Sequence, residues 1–523
     1  MTAARLAIAL GAALALFGAA KAPDARRWWA HILFLADDKL EGRETGSEGH
    51  RRAAEYIAAE FERSGLKPAG GSGYMQPVKL RARRIVEEHS RLTLVRDGRR
   101  EPLTLGEDCS VSMRTEPPER VSARLVFVGY GLVIPEMKYD DLAGVDLRGK
   151  IAVYLIGGPS SIPGPLRSHF QSSGERAKLW QRTGAVGAVV LSNPQSSDLP
   201  WSRTSAARLL PSMSLAEEAV SSRLSVIVNP AHADKFLRGS GHSFEELLAL
   251  STAGKPLPVF PLPASLEARV QVEHSDVESQ NVAAIWPGTD RKLKREFVAL
   301  SAHLDHIGRG APVNGDDIYN GAMDNASGIA TLLETAAALR NSSARFRRSV
   351  LFVAVTAEEK GLLGSRYFVS HPTVKVEDIV ADLNVDMFLP LFPLRILTAV
   401  GAEESDLGDR LRAVAAPLGV RVQNDPEPRR NLFIRSDQYN FIQRGIPAMS
   451  FKLGYMAGSA EEAIARKWLA ERYHAPSDDV FQPVDLTAAA EFNRLLLLLT
   501  ESIANQTERP KWKESSFFRR FAK

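Results

Sequence analysis

The stretch EFVALSAHLDHIG, residues 296–308, decides how the second half of this chain folds. From Phe297 to Ala302 it is an apolar run broken only by Ser301, and His303, Asp305 and His306 follow at once. A short apolar run closed by polar residues reads as a strand buried on both faces. The pattern repeats in RSVLFVAVTAEE (348–359), DIVADLNVDMF (378–388) and GIPAMSFK (445–452). Helical spacing fills the gaps, in ASGIATLLETAAALR (326–340), GLLGSRYFVSH (361–371) and SDLGDRLRAVAAPLG (405–419), and a long helix is expected over Leu486–Ile503. Strands alternating with helices predict an α/β fold, a mixed β-sheet flanked by helices. Functional groups of such sheets gather outside the carboxyl ends of the strands.

Titratable residues stand at those ends. His303 closes a strand, and a ligating imidazole needs its second nitrogen fixed by a carboxylate or carbonyl. Asp305, two residues on, can supply that; His306 is a weaker candidate beside them. Asp324 lies in GDDIYNGAMDNASG (315–328), where a carboxylate can bridge two cations or cap the helix that follows. Glu358 and Glu359 are consecutive after LFVAVT, so one can hold a metal while its neighbour hydrogen-bonds water; the residues alone do not order them. Asp386 ends IVADLNVD, and an acid at a buried strand end is unusual unless paired or ligated. His474 follows Tyr473 in RYHAPSDD, which offers a ligand and a phenol donor. Taken singly, each is common on a surface. Together, two imidazoles and three carboxylates suit a pair of divalent metals and leave one carboxylate for proton transfer.

At 523 residues the chain is long enough for two or three domains. Its 44% hydrophobic and 24% charged content is that of a globular protein. The net charge is only +4 with Lys and Arg scattered, which gives no nucleic-acid signature. Residues 1–22 carry Arg5, an apolar run from Leu6 to Phe17 and small residues to Ala22, the layout of a secretory signal peptide. The run is shorter than the about 20 residues of a membrane span, so the expectation is a secreted or periplasmic protein with no stable span after cleavage. Cys109 is the only cysteine, so no intrachain disulfide can form, and it reads as an inert buried thiol. Strands and short helices alternate from Val121, in VSARLVFVGYGL, GVDLRGKIAVYLIGG, GAVGAVVLSNP and LSVIVNP. The Pro-rich KPLPVFPLP (255–263) reads as a linker that closes this block. KWKESSFFRRFAK (511–523) reads as a basic, frayed tail.

The segments HLDHIG, AMDNASG, TAEEKGLLGS, NVDMF and RYHAPSDD resemble those of di-zinc exopeptidases of the aminopeptidase Y and glutamate carboxypeptidase type. LADDKLEGRETGSEGHRRAAEYIAAEF (35–61) is similar to the N-terminal segment of these enzymes, and VFVGYGL with DLRGKIAVYL to their protease-associated domain insertion. The resemblance implies a signal peptide at 1–22, a discontinuous zinc peptidase domain at 23–120 and 264–510, a protease-associated insertion at 121–263 and a tail at 511–523. It implies two Zn²⁺ ions: His303 and Asp386 on one, Glu359 and His474 on the other, Asp324 bridging both. Glu358 would be the general base, Asp305 the partner of His303, and Tyr473 an oxyanion donor. The expected activity is release of N-terminal residues from peptide substrates. Alternatives are a glutamate carboxypeptidase-like enzyme, whose cationic pocket Arg429, Arg430 and Arg435 could furnish, a single-zinc glutaminyl cyclase, and a non-catalytic binding module. RSDQYNF (435–441) is similar to a family segment near the substrate. Oligomeric state is not encoded in any of these segments.

Overall fold

The computed structural model describes residues 24–197, 199–220, 222–340 and 346–522. The expected signal peptide lies outside the described residues. The chain forms two compact units. The first combines the residues up to Val78 with Glu278–Pro426 and Ser436–Lys523; the second is Lys79–Val277 with Glu427–Arg435.

The apolar runs of the first unit are strands: β1 (Val272–Trp286, entering from the second unit), β2 (Phe297–His303), β3 (Ser349–Val355), β4 (Ile379–Asn384), β5 (Ile396–Val400), β6 (Arg421–Gln423) and β7 (Ala448–Leu453). They order as β1-β3-β2-β4-β7-β5-β6. β2 runs parallel to β3 and β4, and β7 parallel to β4, whereas β1 pairs antiparallel with β3, and β5 pairs antiparallel with β7 and parallel with β6. Every residue of β3 and β4 is buried, which is why these strands read as continuous apolar runs rather than alternating ones. The three central parallel strands therefore end on one edge, and His303, Glu358, Glu359 and Asp386 fall at or just past that edge.

Helices cover the sheet. α1 (Ala25–Leu35) is capped by Asp24 and α2 (Glu48–Arg63) by Ser47. Both pack on α3 (Ser327–Arg340), which is buried along nearly its whole length. The Trp28 indole donates to the Ser327 carbonyl at 3.1 Å, and Arg27 pairs with the fully buried Glu334 of α3. α5 (Leu486–Asn505) follows α4 (Ala460–Glu471), and its Phe492 stacks on Phe388 at 3.8 Å.

The second unit is wider than the expected 121–263 block. Arg91–Arg96, Arg99–Leu103 and Cys109–Val111 are strands of its own eight-stranded sheet, so it begins at Lys79. KPLPVFPLP is not a linker. Val259–Arg269 is an internal strand, paired on one side with Arg91–Arg96 and on the other with Arg120–Val128. The register shifts between Pro261 and Ser265, and that irregularity accommodates prolines that cannot donate to the ladder. Cys109 is fully buried and burial pushes its thiol up to about 12, as expected of an inert cysteine.

The C-terminal segment is not frayed. The Asp406 amide donates to the Lys511 carbonyl, the Lys511 amide donates to Asp406 Oδ1 at 2.9 Å, the Trp512 indole donates to the Gly445 carbonyl at 2.8 Å, and Phe518 is buried. Its aromatic residues pack against the fold, a purpose the basic composition conceals. No described helix is long and apolar enough to cross a membrane.

Candidate metal centre

The β2 end delivers His303, whose Nδ1 lies 3.1 Å from the backbone carbonyl of Asp305. That contact places the proton on Nδ1 and leaves Nε2 as a lone-pair donor. Nε2 is 3.3 Å from Asp324 Oδ1 and 3.5 Å from Asp386 Oδ1. His474, in the loop after α4, sets its Nε2 3.2 Å from Asp324 Oδ2 and 3.3 Å from Glu359 Oε1. The two oxygens of Asp324 thus face two different imidazoles. The Tyr473 ring lies 4.1 Å from that of His474.

Asp305 meets His303 through its backbone carbonyl rather than its carboxylate. Its carboxylate is 4.0 Å from His303 Nδ1, and the carbonyl takes that role instead. The carboxylate accepts from Thr45 Oγ1 at 3.1 Å and from the backbone N–H groups of Glu358 and Glu359 at 3.1 and 3.3 Å. Asp305 therefore fixes the turn that presents both glutamates. Ala357, Met387 and His474 have positive φ without being glycine, at 55°, 52° and 51°. Backbone of this kind persists only where the surroundings impose it, and here it flanks the converging side chains.

His306, the weaker candidate of the sequence, and three residues not anticipated from it complete the surroundings. His306 is fully buried, with Nδ1 2.9 Å from Glu359 Oε1. Asp478, four residues past His474, accepts from the backbone N–H of Met323 and of Asp324, each at 2.9 Å, and so pins the segment carrying Asp324. Arg43 is 1% exposed and donates to the carbonyls of Leu304, Leu35, Asn320 and Gly321, knitting the loops behind the site. Lys452, at the end of β7, donates to the Asp386 carbonyl and lies 3.8 Å from its carboxylate. The repeated Asp in RYHAPSDD was the one available hint of Asp478; the others depend on tertiary neighbours.

The charge balance is strongly acidic. Burial opposes ionisation of Asp324, but His303 and His474 beside it prevail and hold it well below the usual carboxylate range. Burial likewise opposes Asp386, and the Lys452 ammonium and His303 outweigh it. Glu358 goes the other way: burial, with Glu359 and Asp437 near and only His303 opposing, lifts it well above the ordinary range. Asp437, behind the site and bonded to Ser365 Oγ, is pushed by burial up to about 7. Asp386 Oδ1, Glu359 Oε1 and both ring nitrogens of His306 are buried without an aligned hydrogen-bond partner among the described residues. Unspent acceptors and excess negative charge in a buried site are the condition that bound cations relieve. His303, Glu358 and Asp386 offer donor atoms all within 4.8 Å of one another, as do His306, Asp324 and Glu359. The residues present fit two divalent ions.

Arg429 and Arg430 are engaged within the second unit, Arg429 with Gln195 and the Thr252 carbonyl, Arg430 with Glu427. Arg435 also belongs to that unit.

The chain is similar to known peptidases in part of its sequence and in its fold. Residues 281–500 match peptidase family M28. A probable leucine aminopeptidase 2 from Aspergillus oryzae is 29% identical over 248 residues, 45% of each chain. The chain spans less than half the length of the first curated relatives it matches, 40% and 45%. In fold it is similar to an aminopeptidase from Aneurinibacillus sp. strain AM-1, with TM-score 0.57, 19% identity and coverage of 94% of this chain and 96% of that one. It is also similar to BSAP, a zinc aminopeptidase from Bacillus subtilis, with TM-score 0.50, 18% identity and coverage of 93% and 97%. All the converging ligand candidates lie within the residues that match peptidase family M28.

Proposed function

We propose that the first unit is a two-zinc aminopeptidase that releases N-terminal residues from peptides. The observation that carries this reading is Asp324, whose two oxygens face His303 and His474 at 3.3 and 3.2 Å, as a carboxylate bridging two cations requires. His303 and Asp386 would hold one zinc, Glu359 and His474 the other. When bound, the pair would lower the pKa of water and polarise the scissile carbonyl.

The chain's own groups do the rest. Glu358, raised by burial, is suited to take a proton near neutral pH and return it to the leaving amine. Asp305 holds the Glu358 amide, so the base is fixed relative to His303. Tyr473 would donate to the developing oxyanion. The aminopeptidase name of the curated relative supports an N-terminal rather than a C-terminal specificity. The interrupting position of the second unit supports its reading as a protease-associated insertion, and the order of residues 1–22 supports export.

The test is a screen of purified protein against aminoacyl chromogenic amides and N-blocked dipeptides, with and without added zinc. Zinc-dependent turnover confined to substrates with a free amino terminus is expected. Turnover of N-blocked dipeptides alone would replace the proposal with the carboxypeptidase reading.

A further inference from the structure

The two-zinc reading uses two imidazoles, and the structure brings a third to the same place. His306 is fully buried, and neither ring nitrogen has an aligned hydrogen-bond partner among the described residues. Leaving a buried polar group unsatisfied costs on the order of 1–3 kcal/mol, so an imidazole kept there without a use is unfavourable. Its Nδ1 lies 2.9 Å from Glu359 Oε1 and 3.9 Å from Asp324 Oδ2. Glu359 Oε1 is itself buried and lacks an aligned partner. Two unspent donor atoms this close, not aimed at each other, converge on a third point as ligands do.

The fold also makes room for this ring. The His306 amide donates to the Arg43 carbonyl at 3.3 Å, which sets the backbone. A Cβ at Gly321 would stand 2.5 Å from His306 Cγ, so glycine there is what allows the imidazole to sit beside the Asp324 segment. The opposite side is closed by His474, edge-on at 5.7 Å.

We propose that His306 is a ligand of the metal site formed by Asp324, Glu359 and His474. This rests on the two-zinc reading and deepens it. The two sites then differ in kind. One has two imidazoles with Glu359 and a shared Asp324; the other has one imidazole with Asp386 and the shared Asp324. Imidazole ligands suit zinc and cobalt, while oxygen-rich sets suit magnesium and manganese. The His306 site therefore fills first with zinc.

The test is zinc titration of metal-stripped full-length protein, wild type and His306→Ala, paired with X-ray absorption of the zinc-loaded wild type. Two zinc sites of unequal affinity are expected in the wild type. His306→Ala should weaken the tighter one by more than about 100-fold, beyond the range for losing a partner outside the ligand shell, and added imidazole should restore part of it. The absorption spectrum needs no variant: it should report three imidazoles per two zincs. Two imidazoles per two zincs, with His306→Ala folded and binding both ions as the wild type does, would overturn the role of His306 and leave the two-zinc reading standing. A wild type that binds no zinc would overturn both.

Discussion

Three histidines in each unit of this protein lie close to acids and differ in what they do with them. In the second unit His232 contacts Asp108 at 2.5 Å, His242 contacts Glu246 at 3.1 Å and His274 contacts Glu116 at 3.1 Å, so that each of these histidines has its own acid. In the first unit His303, His306 and His474 share Asp324, Glu359 and Asp386 among them, and several of those oxygens remain unspent. Among the described residues no group of three potential ligands forms in the second unit. The presence of an acid beside a histidine is thus uninformative. Convergence of donors that do not satisfy one another marks the metal centre.

The largest effect should come from separating the adjacent glutamates. Glu358→Gln should keep both metals and lose kcat by about 10²–10⁴, the usual worth of a positioned general base. Glu359→Gln should instead lower zinc content. Bound zinc and kcat measured on both variants decide the order, and the reverse outcome would exchange their roles.

His50 supplies a third case, a fully buried imidazole in the first unit that among the described residues meets Ser279 Oγ at 3.5 Å and pairs with no carboxylate. Burial, with Arg43 close by, lowers its pKa to about 3 from an ordinary 6.5. Because the folded value is depressed, the stability it contributes is complete above about 6.5 and lost as pH falls toward 3. That is worth roughly 4 kcal/mol over the interval. His50→Leu should flatten the acid limb of the denaturation midpoint against pH; an unchanged limb would show that His50 charges without cost.

Asp478 reaches the centre only through backbone, by holding the Met323 and Asp324 amides. Asp478→Ala should weaken zinc binding about 10–100-fold, the range for partners that orient ligands. Wild-type affinity in a folded variant would show that Asp324 needs no such support. The smallest effect belongs to the second unit. His232→Ala breaks a half-exposed pair whose acid keeps Lys235, so stability should change by no more than about 1 kcal/mol and zinc stoichiometry not at all. Loss of a metal from that variant would collapse the contrast between the units.

Much of this was legible in the residues. The runs before His303, Glu358 and Asp386 announced buried parallel strands, and acids at their ends are rare enough to stand out. His306 was legible only as a weaker candidate, because its neighbours Glu359 and Gly321 come from other segments. Asp305 was legible as a partner for His303, but sequence cannot tell whether its carboxylate or its own carbonyl meets the imidazole. The second unit's true span was hidden because prolines 261 and 263 look like a linker until the register irregularity that holds them is seen. The basic tail misled for a similar reason, since Trp512 and Phe518 find their partners only in the folded chain.

The central claim is that strand-end donors in the first unit hold two metals across Asp324. Anomalous diffraction at the zinc edge, from crystals of the zinc-loaded full chain, tests it most directly. The account predicts two peaks about 3.5–4 Å apart, one beside each oxygen of Asp324. A single peak, or peaks remote from Asp324, would contradict it.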